Sequence, residues 1–226
     1  MTPNHHLSEA TVVSFAAGAL SPEMSAVAAT HLQGCRVCRR ALADAETVGG
    51  ALLARQQSAV EAPADLPALR QDMLARLDAA PLTKPSAFEA RADTGAAEDG
   101  DLLPLPLRAY FGPSWSALRW RWAAPGLHMI RATGTRQDQL VLLKVAPGRA
   151  MPLHSHQGGE LTQILKGAYD DVLGHFGPGD AADLDHETLH QPTSAPGVPC
   201  ICVAALDAPL AFPGWLARRL QAFVGL

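Results

Sequence analysis

The chain has 226 residues, 48% of them hydrophobic and 18% charged, with a formal net charge of −4 and a pI near 6.1. That length suits one large or two modest domains, and the acidic balance excludes the basic footprint that direct nucleic-acid binding needs. No apolar run approaches the ~20 residues of a membrane span, and the opening MTPNHHLSEA lacks the charged and apolar regions of a signal peptide. A cytoplasmic location is expected, where cysteines stay reduced.

Up to about residue 80 the apolar residues recur at helical spacing. Ser8 caps a short first helix carrying Val12, Val13, Phe15 and Ala16. Ser21-Pro22-Glu23 starts a second, with a hydroxyl cap, a proline at the first position and an acid in the first turn. Met24, Val27, Ala28, His31 and Leu32 form its apolar side, and Gly34 ends it. A third runs from about Arg36 to Arg55. A fourth follows Pro67, with Leu66, Leu69, Met73, Leu74 and Leu77 at helical intervals.

From Ala80 to Asp101 the pattern vanishes into a stretch rich in Pro, Ala and Gly, whose last sixteen residues hold five acids and one base, Arg91. Residues 81–104 are therefore an acidic linker. Beyond it the segments around Trp120-Arg121-Trp122, LHMIRA, QLVLLKVA, LTQILKGAYDD and CICVAAL read as strands separated by Gly, Pro and Asp turns. An all-β sandwich or barrel over 105–226 fits this rhythm, closed by an amphipathic helix from Trp215 to Phe223.

The four cysteines form two close pairs, Cys35/Cys38 and Cys200/Cys202. In a reducing compartment such pairs point to metal or redox chemistry rather than disulfides. The first pair sits in HLQGCRVC, spaced H-x-x-x-C-x-x-C from His31 to Cys38. Residues four apart share a helix face, so His31 and Cys35 converge across the end of the second helix. Cys38, one turn into the third, returns its sulfur to the same point. Imidazole and thiolates are ligands for tetrahedral, closed Zn²⁺ sites. Redox C-x-x-C pairs follow a strand, and none precedes this one, so zinc is the stronger reading. The fourth ligand is His5 or His6, and position alone does not choose between them.

A histidine near position 6 followed by H-x-x-x-C-x-x-C in a four-helix segment resembles the zinc-binding anti-sigma domain over roughly residues 1–80. The resemblance implies that this domain wraps an extracytoplasmic-function (group IV) sigma factor. It also places the family's first histidine on His6, giving a zinc site of His6, His31, Cys35 and Cys38.

The β half carries a second constellation, His154-x-His156 with Glu160 four residues on and His190 thirty residues after Glu160. Alternate residues of a strand share a face, so the two imidazoles and the carboxylate converge with room for a metal. The spacing G-x5-H-x-H-x3-E-x6-G, from Gly148 to Gly167, resembles the first motif of the cupin superfamily, a jelly-roll barrel. The second motif matches at Gly179 and His190, while Asp185, Glu187 and Ser194 replace its proline, second glycine and asparagine. The resemblance implies a divalent metal, read here as zinc, at His154, His156, Glu160 and His190. His128, His175 and His186 lie outside both motifs, with His186 the candidate neighbour behind the barrel site. Cys200 and Cys202 share a strand face as two small buried side chains, poorly set for a disulfide.

A zinc helical domain followed by a cupin barrel, multi-domain α + β, resembles the ChrR-type anti-sigma regulators. The resemblance implies a one-to-one complex with a sigma factor and its release under singlet oxygen or related oxidative stress, sensed through the cupin half. It implies no enzyme activity, no contact with nucleic acid and no membrane. Two alternatives are a metal-dependent cupin enzyme of dioxygenase type, with an accessory zinc domain, and a redox chaperone that ejects zinc from Cys35/Cys38.

Overall fold

The computed structural model describes residues 2–56, 65–79, 100–135 and 137–211. Most of the acidic linker and the C-terminal helix expected from Trp215 to Phe223 lie outside them.

The helices begin where their caps dictate. Ser8 accepts the Thr11 N–H (3.1 Å) at the head of α1 (Glu9–Ala16), and Ser21 accepts the Met24 N–H (3.1 Å) at the head of α2 (Pro22–Gly34). Cys35 ends α2 through its N–H to the His31 carbonyl (2.9 Å) and starts α3 (Arg36–Arg55) by accepting the Cys38 N–H on sulfur (3.4 Å). One cysteine thus forms the whole corner between two helices. The fourth helix, α4 (Leu66–Ala79), buries none of its residues. A 3₁₀ turn at Leu105–Leu107 and a single helical turn, α5 (Arg108–Phe111), lead into the β half.

Among the described residues eleven strands follow: β1 (Arg121–Ala124), β2 (Leu127–Arg131), β3 (Gln139–Val145), β4 (Ser155–His156), β5 (Glu160–Lys166), β6 (Tyr169–Asp171), β7 (Gly174–Phe176), β8 (Ala181–Leu184), β9 (Thr193–Ser194), β10 (Cys200–Leu206) and β11 (Leu210–Ala211). They pair antiparallel into a six-stranded sheet ordered β1-β2-β3-β10-β5-β8, a three-stranded sheet β7-β6-β9 and a two-stranded sheet β11-β4. The long strands are those legible in the sequence. β4, β7, β8, β9 and β11 are too short to show a period, and their neighbours set their register.

The central strands are buried on both faces. Val145, Ile164, Cys200 and Cys202 join one apolar cluster, and Val141, Ala204 and Leu206 another, both inside the barrel. The alternate residues Leu140, Leu142, Leu161, Val203 and Ala205 pack outward into a third cluster with Val12, Val27, Ala28 and Leu32 of α1 and α2. Helix α2 accordingly touches β3, β5 and β10. The helical head and the barrel are therefore joined through a shared core, although the sequence separates them by a linker. The reason is visible in QLVLLKV and CICVAAL, which are nearly continuous apolar runs: strands covered on both sides need no polar face.

Candidate metal centres

Two groups of metal-ligating side chains converge among the described residues. In the first, one ligand atom from each of His6, His31, Cys35 and Cys38 lies within 4.8 Å of every other. His6 Nδ1 is 3.3 Å from Cys35 Sγ, and His31 Nε2 is 3.3 Å from Cys38 Sγ. Around a tetrahedral zinc with Zn–S of about 2.3 Å and Zn–N of about 2.0–2.1 Å, a sulfur and a nitrogen stand about 3.5 Å apart, so the cluster is close to that geometry. His31 Nδ1 donates to the Gly179 carbonyl at 2.9 Å, which leaves Nε2 as a bare lone pair aimed at the cluster. Burial lowers the pKa of His31 and pushes the Cys38 thiol up to about 11, so only a cation would hold that sulfur as thiolate. His5, the rival of His6, faces away: its ring stacks on Phe176 with centroids 3.9 Å apart.

In the second group, Nε2 of His190 lies 3.1 Å from His154 Nε2 and 3.3 Å from His156 Nε2, inside the barrel. The bridge His154↔His190 brings the two motifs together, each N–H donating to the other's carbonyl. His154 Nδ1 donates to the Pro152 carbonyl (2.7 Å) and His190 Nδ1 to Asp171 Oδ2 (3.0 Å). With those protons on Nδ1, both Nε2 atoms are lone pairs pointing at each other, the arrangement a cation between them binds. The separations fit, since ligands about 2.0–2.1 Å from one ion stand about 3.0–3.4 Å apart. Burial favours the neutral form required of ligands at two of these rings: it lowers the pKa of His154, and takes His156 down to about 4 with help from neighbouring His190.

Glu160 stands beside this trio rather than within it. Its Oε1 accepts the Thr162 hydroxyl (2.7 Å), and its Oε2 is 3.2 Å from His156 Nδ1. That contact falls outside hydrogen-bond geometry, so among the described residues His156 Nδ1 is buried without a hydrogen-bond partner. Glu160, His154 and His190 line one cavity with Tyr169, Cys200 and Cys202. Both thiols are inert there: burial pushes Cys200 up to about 12 and Cys202 well above the ordinary value.

The side chain behind the barrel trio is Asp171, not His186, which is exposed on the turn after β8. The side chains of Asp171 and His190 are almost wholly buried, 0% and 2% exposed. Nothing in the sequence marks Asp171, because a carboxylate in a short strand looks like any solvated one. Of the remaining histidines, His175 pairs with Asp170 on the surface (2.8 Å) and His128 lies half-buried on β2.

Fold and clusters together define the class: a helical head with a closed His₂Cys₂ group, seated on a cupin barrel with an inward histidine trio. Residues 113–208 match the ChrR cupin-like domain family. Over 223 residues, 99% of both chains, the sequence is 35% identical to the anti-sigma-E factor ChrR of Cereibacter sphaeroides. The crystal structure of Rhodobacter sphaeroides SigE in complex with the anti-sigma ChrR superposes with a TM-score of 0.69 at 32% identity, covering 91% of this chain and all of that one. The chain belongs to the ChrR family of anti-sigma factors.

Proposed function

We propose that the protein is an anti-sigma factor that binds one extracytoplasmic-function sigma factor, one to one, and withholds it from RNA polymerase. The observation that carries this is α4. Leu66, Leu69, Met73, Leu74 and Leu77 follow one another at helical spacing, and every one of them is exposed. An apolar stripe left uncovered on a helix is a docking surface. Val48, Leu52 and Leu53 on α3 are exposed as well. The likeness to a ChrR bound to its SigE supports a sigma factor as the occupant.

Zinc at His6, His31, Cys35 and Cys38 locks the corner between α2 and α3, and so the direction in which α3 leaves it. A site closed by four protein ligands leaves no open position for catalysis. The barrel trio, with Glu160 beside it, takes a divalent metal, for which zinc suits three imidazoles. This centre is the part of the molecule from which oxidative stress, singlet oxygen in particular, is passed to sigma release. Both metal assignments rest on lone pairs facing one another in buried sites.

Charge placed on the stripe tests the docking. Met73→Asp/Leu77→Asp, at positions that bury nothing in the free chain, is expected to abolish co-purification with the sigma factor while leaving the metal content unchanged. Retention of the complex by that double variant would remove α4 from the interface.

A further inference from the structure

The two histidines of the N-terminal cluster are held by groups that belong to the barrel. His31 donates from Nδ1 to the carbonyl of Gly179, whose φ of 95° turns the chain into β8. The next residue, Asp180, is 3% exposed. Its Oδ1 accepts the N–H groups of Asn4 and His5, the latter at 3.0 Å, while its Oδ2 accepts that of Gly177 at 2.7 Å. The His5 carbonyl accepts the Ala181 N–H (3.3 Å), and the His5 ring donates from Nε2 to the His175 carbonyl (3.1 Å). Asp183 accepts the Ser8 N–H at 2.9 Å. His6 thus sits on an arm gripped on either side by barrel residues, in a stretch with no helix of its own.

We propose that Asp180 and the Gly179 carbonyl are positioning groups of the N-terminal metal site, setting its affinity from the cupin half. The proposal rests on the zinc reading of that cluster. Metal-bound imidazoles are oriented by an acceptor on their second nitrogen, and losing such partners typically weakens metal binding about 10–100-fold. Here the acceptor comes from the other half of the chain, 148 residues away. Asp180 does the same for the backbone that carries His6. Without its carboxylate the arm must be ordered by metal binding itself, and affinity falls by that amount. Burial disfavours ionisation of Asp180, yet the N–H groups of His5, Gly177 and Asn4 outweigh it and hold the carboxyl below its usual range. The clamp is therefore charged at neutral pH. The helical head does not keep its zinc unaided; the barrel shares the holding.

The test uses the full-length chain loaded with Co²⁺, whose thiolate charge-transfer absorption reports the cysteine-containing cluster alone. Zinc competition against that band gives the affinity. Asp180→Ala is expected to weaken the cluster about 10–100-fold, and Asp180→Asn, which keeps one acceptor oxygen, to fall between it and the parent. Asp185→Ala, which removes an exposed carboxylate that does not grip the arm, is expected to match the parent. Barrel metal content should be the same in all four proteins. Parental affinity in Asp180→Ala would overturn the proposal; should that variant fail to fold, parental affinity in Asp180→Asn would do so equally. Loss of barrel metal in parallel would mean general destabilisation and would also overturn it. Absence of the cobalt–thiolate band in the parent would instead remove the zinc reading beneath it.

Discussion

Asp171 accepts the Leu173 N–H on Oδ1 and the Nδ1–H of His190 on Oδ2, and the second contact decides the imidazole's chemistry. An acceptor there keeps the proton on Nδ1 and the lone pair on Nε2. Asp171→Ala leaves a buried N–H without an acceptor and frees the ring to turn. Barrel metal affinity should fall about 10–100-fold, measured as metal retained through dialysis against a chelator, with the cysteine cluster still loaded. Retention equal to the parent would show that His190 needs no such partner. Cys200 and Cys202 carry a second prediction at this scale. With burial holding both thiols protonated, iodoacetamide at pH 8 should modify neither in the folded chain and both after denaturation, as read by peptide mass. Modification of the native protein would contradict the buried assignment. The residues that speak in the sequence are those with rigid spacing: His31, Cys35 and Cys38 around one helix corner, His154 and His156 on one strand face. His6 needed the family pattern, since His5 is chemically identical and only tertiary contacts separate them: His5 packs on Phe176 and the His175 carbonyl, His6 on Cys35. The roles of Asp171, the Gly179 carbonyl and Asp180 were not legible, although Gly179 itself is a motif position, because they act through pairings fixed only by tertiary structure.

At the scale of elements, the five longest features of the β half announce themselves, and α1, α2 and α3 follow their caps. What the pattern also holds is less obvious. QLVLLKV and CICVAAL read as strands, yet their lack of alternation already implies cover on both faces. The outer cover is α2, with Val27 and Ala28 fully buried against residues such as Leu142 and Val203. Leu142→Ala deletes a side chain at the centre of that contact and should cost about 2–5 kcal/mol of stability, measured as a lower urea midpoint with an unchanged slope. A loss below about 1 kcal/mol would mean that the head does not press on the sheet. Helix α4 is the counterpart, an apolar stripe with no such cover, and its residues are expected to be silent in stability and decisive in binding.

For the whole molecule, the consequence is that inhibitor head and barrel are not beads on a string. They share an apolar cluster, and the arm bearing His6 lies along β8, so a change in the barrel reaches the cluster of His6, His31, Cys35 and Cys38. Coupling of this kind needs only about 1–3 kcal/mol, comparable to one lost acceptor or one ill-fitting core residue. The first cluster is closed by four protein side chains, and the relative that matches the chain over 99% of its length is an anti-sigma factor. The proposed function requires zinc-shaped helices to capture a sigma factor. The most direct measurement is co-expression of the full chain with the extracytoplasmic-function sigma factor encoded beside it, followed by size-exclusion chromatography with light scattering. The account predicts a one-to-one complex that disappears in Cys35→Ser/Cys38→Ser. A folded, zinc-loaded chain that elutes alone beside a folded sigma factor would contradict it.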